Sequence, residues 1–443
     1  MPRVLPTQAE SPWPFRLVLL SLVFEFGRPQ EIIPGLKVIP FSSLLNAAIL
    51  VSLVMNHRLN FKNIQTKLWV PLLGVMVVHL PLAVNRFYSV MTLKDMGLLF
   101  CLYSGLIAYV TTLERMKTLV SVWVGVHVIA AVLGIAKGGV GVGGWMGDEN
   151  DFCMTINMAL PFAFFMSYAT VNPAEKFRYL GLMAMYVLTV TITLSRGGFI
   201  GMVAVGIYSW FRSPMKIGAI LVVAVLAVFV LIAAPAAFWE EIGSSFSNET
   251  MEKGTGGDRL YIWGIGFEMF LANPVIGVGQ GNFPWTFEEY EQGRTFNEAS
   301  RAGRAAHSLY FSLLAEMGLV GGIVFALFNL NNYRNIREIE QVLGKPVISG
   351  ERHSTESEKA RKWLIYAARS MEGAMIGFLV SSVFISTTWY PSFWVMSGFI
   401  VALRNLVVEK SGELGVQAAS SVTRESSRRK GPLLPRLRPL KDV

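Results

Sequence analysis

The stretch YLGLMAMYVLTVTITLSRGGFIGMVAVGIYSWF, Tyr179–Phe211, decides the fold. It is almost wholly apolar, and Arg196 is its single charged residue. An apolar helix crosses a bilayer in about 20 residues, and an arginine at the centre of such a helix costs roughly 2.5–3.5 kcal/mol. Two helices joined by a tight turn avoid this cost, because they bring Arg196 to the membrane surface. Since glycine tolerates turn conformations, we predict the turn at Gly197-Gly198.

The rest of the chain has the same apolar character. Of its 443 residues, 53% are hydrophobic and only 16% are charged, whereas a soluble domain is about 25% charged. This composition predicts an all-α polytopic membrane protein with about twelve transmembrane helices. The predicted spans lie near residues 14–27, 38–56, 67–84, 90–110, 117–136, 152–170, 179–195, 197–211, 216–239, 308–331, 363–384 and 389–408.

Lysine and arginine cluster in alternate loops between these spans, for example at Arg58 and Lys62 and again at Arg212 and Lys216. The positive-inside rule places these loops and both termini in the cytoplasm. Topology thereby explains the net charge of +9 without a nucleic-acid partner. The predicted organisation is residues 1–239 with nine spans, 240–307 as one large outer loop, 308–408 with three spans and a cytoplasmic loop at 332–362, and 409–443 as a disordered basic cytoplasmic tail.

The large outer loop contains the helix-like stretch DRLYIWGIGFEMFLANP, residues 258–274. Asp258 is placed to cap this helix, and Pro274 follows its end. An apolar face is predicted at helical spacing, formed by Leu260, Trp263, Phe267, Phe270 and Leu271. Such a helix lies in the membrane interface or covers a cavity.

Several cations and one histidine fall on the outer side of the predicted topology. Arg196 ends a span, Arg259 opens the loop helix, and Arg301, Arg304 and His307 end the loop. Guanidinium groups bind phosphate oxygens bidentately, and a neutral imidazole accepts a proton near pH 7. This set predicts a metal-free glycosyl-transfer site, in which arginines stabilise a diphosphate leaving group and His307 activates an acceptor hydroxyl.

Each of these residues also has a purely structural interpretation. Arg196 can anchor its helix at the interface by extending to water, and Arg259 can pair with Asp258 or Glu268. Arg301 and Arg304 can be solvated loop charges, and His307 can bond to backbone at a helix start. These alternatives remain open from the sequence alone.

The outer side also carries carboxylates. Glu316, near the middle of the tenth predicted span, is interpreted either as support for His307 or an arginine, or as a structural hydrogen-bond acceptor. The carboxylates of GDEND, residues 147–151, which include Glu149 and Asp151, are interpreted as a cap of the sixth span rather than as cation ligands. Glu25 and Arg28 are expected to pair with each other. The two cysteines, Cys101 and Cys153, lie in or beside apolar segments, and they predict neither a disulfide framework nor a metal site.

Taken together, these motifs resemble the O-antigen ligase and polymerase superfamily. The resemblance lies in SRGG at the outer end of a span, in GGDRLYIWGIGFEMFLANPVIGVGQGNF within a large outer loop, and in AHSLYFSLLAEMGLVGG after it, with a histidine and a downstream Glu-x-Gly. It covers about residues 150–330. It implies a bacterial inner-membrane glycosyltransferase of the GT-C type, whose large loop and active site face the periplasm.

The resemblance also implies substrates and roles. The donor would be a glycan on undecaprenyl diphosphate, and a ligase would transfer it to lipid A–core oligosaccharide. Arg196 and Arg259 would bind the donor diphosphate, with Arg301 and Arg304 as further candidates, and His307 would be the catalytic base. No cofactor is expected. A polymerase or a protein O-oligosaccharyltransferase would use the same donor. A transporter or flippase is a further alternative, although one asymmetric outer loop and no visible repeat disfavour it. A non-enzymatic membrane scaffold is the last alternative, and Arg196 and His307 disfavour it.

Overall fold

The computed structural model describes residues 12–244, 254–344 and 355–409. These ranges contain helices and no regular β-strand. The predicted basic tail lies outside them from residue 410 onward, as do residues 245–253 of the predicted outer loop and 345–354 of the predicted cytoplasmic loop.

Sixteen α-helices are found in these ranges. The first eight are α1 (Trp13–Leu22), α2 (Pro29–Ile32), α3 (Phe41–Met55), α4 (Ile64–His79), α5 (Arg86–Tyr109), α6 (Leu113–Ala136), α7 (Glu149–Ala169) and α8 (Pro173–Ile192). The other eight are α9 (Arg196–Arg212), α10 (Lys216–Ala233), α11 (Ala236–Ser244), α12 (Thr255–Ala272), α13 (Phe283–Glu291), α14 (Leu309–Gly344), α15 (Thr355–Ser381) and α16 (Pro391–Glu409).

Every segment predicted as a span coincides with one of these helices. By length and composition, six of the described helices can cross a membrane: α5, α6, α7, α10, α14 and α16. Helices α3 and α4 are apolar but shorter. The chain is therefore a polytopic helical membrane protein, while the count of twelve crossings stays a prediction.

Helix α7 is the centre of the bundle. Its residues are buried without interruption from Asp151 to Met166, and it packs against α8, α9 and α15. A helix that is apolar on all sides is stable only when it is surrounded by other apolar groups. Helix α10 is mostly exposed. It is the most apolar of the six helices that can cross a membrane, yet Ala219 is its one buried residue. Its exposed face requires lipid.

The turn between α8 and α9 lies at Thr193–Ser195 rather than at the glycine pair. Leu194 adopts a left-handed conformation, with φ of 55°. The Ser195 hydroxyl then caps α9 by accepting the Gly198 N–H at 3.0 Å. The prediction of two helices with Arg196 at their junction is correct, but the predicted position of the turn is wrong.

Gly197 and Gly198 instead permit close packing within the first turn of α9. A Cβ on Gly197 would lie 2.9 Å from the Phe384 Cβ, and a Cβ on Gly198 would lie 2.0 Å from the Cys153 Sγ. Both approaches are too short for a larger residue. The glycine pair thus holds the Arg196 end of α9 against α7 and the segment that follows α15.

Helix α14 is broken at Gly318, where φ is 59° and ψ is −156°. The loop after α12 hydrogen-bonds to the backbone groups that the break releases. Val278 N–H donates to the Ala315 carbonyl at 2.9 Å, and Leu319 N–H donates to the Pro274 carbonyl at 2.8 Å. Irregular backbone at membrane depth is tolerated when its polar groups are satisfied in this way. The loop after α12 is therefore fixed directly to α14, one of the helices that can cross a membrane.

An ion network joins α9, α14 and α15 at the end of α9 remote from Arg196. Arg337 donates to Glu340 and Glu372, each at 2.7 Å, and Arg212 also pairs with Glu340. The 17 residues of α9 separate this network from Arg196 by about 24 Å. This arrangement fixes the orientation of the helix that carries Arg196.

Candidate functional site

A polar cavity lies where the amino-terminal ends of α7, α9 and α12 meet. Its volume is about 530 Å³. The lining residues are Gly138, Gly139, Val140, Glu149, Asn150, Ile192, Thr193, Leu194, Ser195, Arg196, Gly197, Thr255 and Arg259. Because helix amino termini carry partial positive charge and free N–H groups, three of them at one cavity form a site suited to an anion.

Arg196 and Arg259 are both half-buried and both line this cavity. Burial lowers the pKa of Arg259, and the nearby charge of Arg196 lowers that pKa further, while Asp148 and Asp258 oppose the shift. The guanidinium carbon of Arg259 lies 5.6 Å from the centre of the Phe384 ring, which supports one face of the group. An anion bound between the two arginines would relieve their mutual repulsion.

His307 lies beside this cavity but is not part of its lining. His307 is exposed and adopts a left-handed backbone conformation, with φ of 47°. Burial by surrounding protein atoms lowers the pKa of His307 below the ordinary 6.5, and Arg259 and Arg304 lower that pKa further. The structure thus favours a neutral imidazole that a substrate can reach.

Trp263 fixes the backbone next to His307. Its indole N–H donates to the Ala306 carbonyl at 2.9 Å, and its ring stacks on Phe311 with 5.0 Å between ring centres. A left-handed conformation is uncommon for residues other than glycine, and it persists when neighbouring contacts hold it. The position of the His307 ring is therefore set by α12 and by the first turn of α14.

Arg301 and Arg304 share one carboxylate. Both pair with Asp258, and the Arg304 Nη1 lies 3.0 Å from the Asp258 Oδ2. Asp258 lies in the first turn of α12, and the structure shows no side-chain cap at that helix start. These pairs tie the end of the loop to α12. They hold both arginines near the cavity, where the two side chains stabilise its wall. The prediction that Asp258 caps the helix is wrong.

The two carboxylates suggested as partners of Arg259 form ion pairs with other arginines, although Asp258 still acts on Arg259 electrostatically. Asp258 binds Arg301 and Arg304, and Glu268 pairs with Arg294 at 2.6 Å.

Helix α12 buries a face other than the predicted one. Its buried residues include Ile262, Ile265 and Met269, which pack on Phe283 and Phe287 of α13. The side chains predicted to share the apolar face include three exposed ones: Leu260, Phe267 and Leu271. The helix therefore has apolar groups on two sides.

Glu316 is buried and accepts three hydrogen bonds. Its carboxylate accepts the Gly281 N–H at 2.9 Å, the Phe283 N–H at 3.1 Å and the Trp389 indole N–H at 2.8 Å. The first two bonds fix the turn that precedes α13. From the sequence, Glu316 was interpreted either as support for a site residue or as a structural hydrogen-bond acceptor. The three hydrogen bonds correspond to the structural acceptor.

Glu316→Ala is expected to destabilise the outer loop. It leaves three donors without their acceptor, and an unsatisfied buried donor costs roughly 1–3 kcal/mol. We expect a lower Tm in detergent and faster proteolysis between α12 and α14. Glu289→Ala, which removes an exposed carboxylate from α13, serves as the control. A Tm and a proteolysis rate equal to those of the wild type would contradict the structural role.

The acidic residues at the start of α7 have distinct positions. Asp148, rather than Glu149 or Asp151, caps α7, because its Oδ1 accepts the Asn150 N–H at 2.8 Å. Asp151 is buried and accepts the Tyr390 hydroxyl at 3.0 Å, while Glu149 is exposed in the cavity wall. No group of three or more His, Cys, Asp or Glu residues capable of holding a metal occurs in the described part of the chain.

Some residues of the site were not identified from the sequence. Ser195 donates its hydroxyl to the Asn150 Oδ1 at 2.7 Å and thereby joins α9 to α7. The serine before Arg196 fits the preference for serine at helix caps and was recognisable as such. Asn150 and Phe384 belong to distant segments, and no local pattern indicates their role.

Comparison with known families identifies the part of the chain that holds this site. Residues 181–326 match the family model described as O-antigen ligase. This match, which covers about a third of the chain, supports membership of the O-antigen ligase and polymerase superfamily. Arg196, Arg259 and His307 all lie within the matched residues. No curated protein and no solved structure matches the chain.

The match at residues 181–326 indicates a broad class, that of the O-antigen ligase and polymerase family. Its members are glycosyltransferase-like membrane enzymes. The match does not separate ligases from polymerases, and it names no substrate.

Proposed function

We propose that this protein is an O-antigen ligase, which transfers a glycan from undecaprenyl diphosphate to a sugar hydroxyl of lipid A–core oligosaccharide. One observation carries the proposal. Arg196 and Arg259 line one cavity at three helix amino termini, and the charge of Arg259 acts on the His307 ring beside it. The cavity would face the periplasm from the inner membrane, with residues 240–307 as the periplasmic loop and both termini in the cytoplasm.

The cavity suits a diphosphate because its two guanidinium groups and its helix termini supply donors and positive charge together. Phosphate oxygens accept paired N–H groups from arginine, and arginine keeps its charge at any physiological pH. Asp148 and Glu149 limit the net positive charge. A lipid diphosphate, whose charge increases when its sugar leaves, would gain the most from such a site.

An apolar groove between α9 and α10 supports a lipid-linked donor. Its volume is about 630 Å³, and its lining runs from Phe199, one turn beyond Arg196, to Trp210. All of its lining side chains are apolar, including Met202, Val203 and Leu231. A long isoprenoid chain would lie in this groove while its diphosphate lies at Arg196.

The reaction would proceed as a single displacement. His307 takes the proton of an acceptor hydroxyl, and the hydroxyl oxygen forms a bond with the anomeric carbon of the donor glycan. The bond from that carbon to the diphosphate oxygen breaks, and its electron pair leaves with undecaprenyl diphosphate. Arg196 and Arg259 stabilise the added charge, so that no metal is required. One displacement inverts the anomeric configuration.

Reconstitution with defined substrates tests this function. The purified protein is given an undecaprenyl-diphosphate glycan together with lipid A–core, a second lipid-linked repeat unit, or a pilin-like protein. We expect glycan on lipid A–core, and we expect equal activity in a chelator. Transfer to a repeat unit would show a polymerase, and transfer to protein would show a protein O-oligosaccharyltransferase. Activity that needs added magnesium would contradict the metal-free site.

The pH dependence of transfer is expected to follow His307. Transfer requires the neutral ring, so kcat/KM should fall as the pH drops through the His307 pKa, which lies below 6.5. Arg304→Ala removes a positive charge near the ring and also removes one of the two arginines that pair with Asp258. Both changes raise the pKa of His307. The acid limb of the profile should therefore move to higher pH.

Arg294→Ala is the control for this pH shift, because Arg294 pairs with Glu268 on the exposed surface of the same loop. Its acid limb should coincide with that of the wild type. An acid limb above pH 6.5 in the wild type, or no movement in Arg304→Ala, would contradict the assignment of His307 as the base.

A further inference from the structure

A second cavity is lined by residues between 25 and 46, by α5, by Trp145 and by the start of α16, and it is separate from the arginine-lined site. We call it the amino-terminal cavity. Its volume is about 460 Å³, within the range of small-ligand sites. Its chemically important lining residues are Glu25, Arg28, Glu31, Asp95, Trp145 and Tyr390.

The charges that line the amino-terminal cavity disfavour a phosphate ligand. Arg28 pairs with Glu31 at 3.2 Å, and Lys37 pairs with the same carboxylate at 3.1 Å. The predicted pairing of Glu25 with Arg28 is therefore replaced, although Arg28 remains near enough to Glu25 to act on it electrostatically. The lining therefore carries three carboxylates, Glu25, Glu31 and Asp95, against the two cations Arg28 and Lys37, and this balance disfavours an anion.

The remaining groups are those that bind neutral hydroxyls. Glu25 accepts the Trp145 indole N–H at 3.2 Å, which leaves acceptor capacity on its carboxylate. Trp145 and Tyr390 are half-buried, and their ring centres lie 5.3 Å apart. Asp95 lies at the exposed edge of the cavity, where it pairs with Lys94 at 3.1 Å and keeps its second carboxylate oxygen as an acceptor. Aromatic faces beside carboxylate acceptors suit a sugar ring, which has an apolar face and donates hydrogen bonds from its edge.

The amino-terminal cavity is close to the arginine cavity. Trp145 lines the first and Glu149 lines the second, and four residues of chain span at most about 14 Å. Tyr390 also donates to Asp151, which directly follows the arginine-cavity residue Asn150. An oligosaccharide of a few sugars bridges such a distance.

The geometry points to the amino-terminal cavity as the acceptor subsite, where a neutral sugar ring of the acceptor stacks on Trp145 and donates hydroxyls to Glu25 and Asp95. The inference rests on the proposed function, because it takes the acceptor to be an oligosaccharide. A sugar held here would direct the reacting hydroxyl of a neighbouring sugar toward His307.

Direct binding tests the subsite separately from catalysis. Delipidated core oligosaccharide carrying a fluorescent label is titrated against the full-length protein in detergent. We expect saturable binding that Trp145→Ala and Asp95→Asn each weaken at least tenfold. Asp95 is 57% exposed, so Asp95→Asn should fold even if the other variant does not. Glu289→Gln, on the exposed surface of α13, should bind as the wild type does.

Transfer kinetics then separate the two proposals. With the donor saturating, Asp95→Asn should raise the acceptor KM about tenfold and leave the donor KM unchanged. Wild-type binding and acceptor KM in both folded variants, or no saturable binding to the wild type, would overturn the subsite. Binding that the variants weaken, in a wild-type protein that transfers no glycan, would support the subsite and refute the proposed function.

Discussion

Replacing His307 with alanine is expected to lower the rate of glycan transfer about 10²–10⁴-fold, which is the range that a positioned general base contributes. The substitution removes the group that takes the proton of the acceptor hydroxyl. It leaves the pairs of Arg301 and Arg304 with Asp258 in place. Donor binding should therefore persist, and the loss should appear in kcat. The measurement is single-turnover transfer with both substrates saturating.

His57→Ala is the matched control for this variant. His57 is also exposed and also has a left-handed backbone, with φ of 51°, but it lies in a loop predicted to be cytoplasmic. Its transfer rate should equal that of the wild type. A His307→Ala protein that binds donor and transfers glycan at the wild-type rate would show that His307 is not the base.

Arg259→Ala is expected to lower kcat/KM for the donor about 10²–10³-fold, the usual effect of removing one group that stabilises charge on a leaving oxygen. The structural reason is that Arg259 and Arg196 line the same cavity, so a diphosphate there would lose one of its two guanidinium partners. Arg259→Lys keeps the charge but loses the paired N–H groups, and an intermediate loss is expected. The measurement is initial rate against donor concentration.

Arg294→Ala serves again as the control, because it removes an exposed arginine from the same loop. Arg196→Ala should resemble Arg259→Ala. Since the two arginines would act on one ligand, the double variant should lose less than the product of the single losses. Unchanged donor kinetics in Arg196→Ala and Arg259→Ala would refute the diphosphate site.

The helices were predictable from the sequence because apolar runs are local signals. The junction at Arg196 was predictable for the same reason, since the cost of a buried charge depends on its position in one run. The position of the turn between α8 and α9 was predicted wrongly because a glycine pair can either form a turn or allow close packing. Gly197 and Gly198 have negative φ values and serve close packing, and that packing involves Phe384 and Cys153, which are distant in sequence.

Partners distant in sequence explain the other differences. Glu316 accepts from Gly281 and Phe283, more than thirty residues away, so its role depends on the break in α14. Asp258 pairs with Arg301 and Arg304 across the loop, and helix-capping rules do not report such a contact. The sequence shows that Glu316 and Asp258 are carboxylates that need partners. Which residues those partners are becomes evident only in the folded structure.

In the proposed reaction, one cavity holds the diphosphate of a lipid-linked glycan while His307 activates the acceptor. The most direct test measures undecaprenyl diphosphate release and glycan transfer in the same reconstituted sample, in wild type and in His307→Ala. We predict one undecaprenyl diphosphate released for each glycan transferred in the wild type, and neither product in His307→Ala although it binds the donor. Transfer without release of undecaprenyl diphosphate, or release and transfer at wild-type rates in His307→Ala, would contradict the proposed reaction.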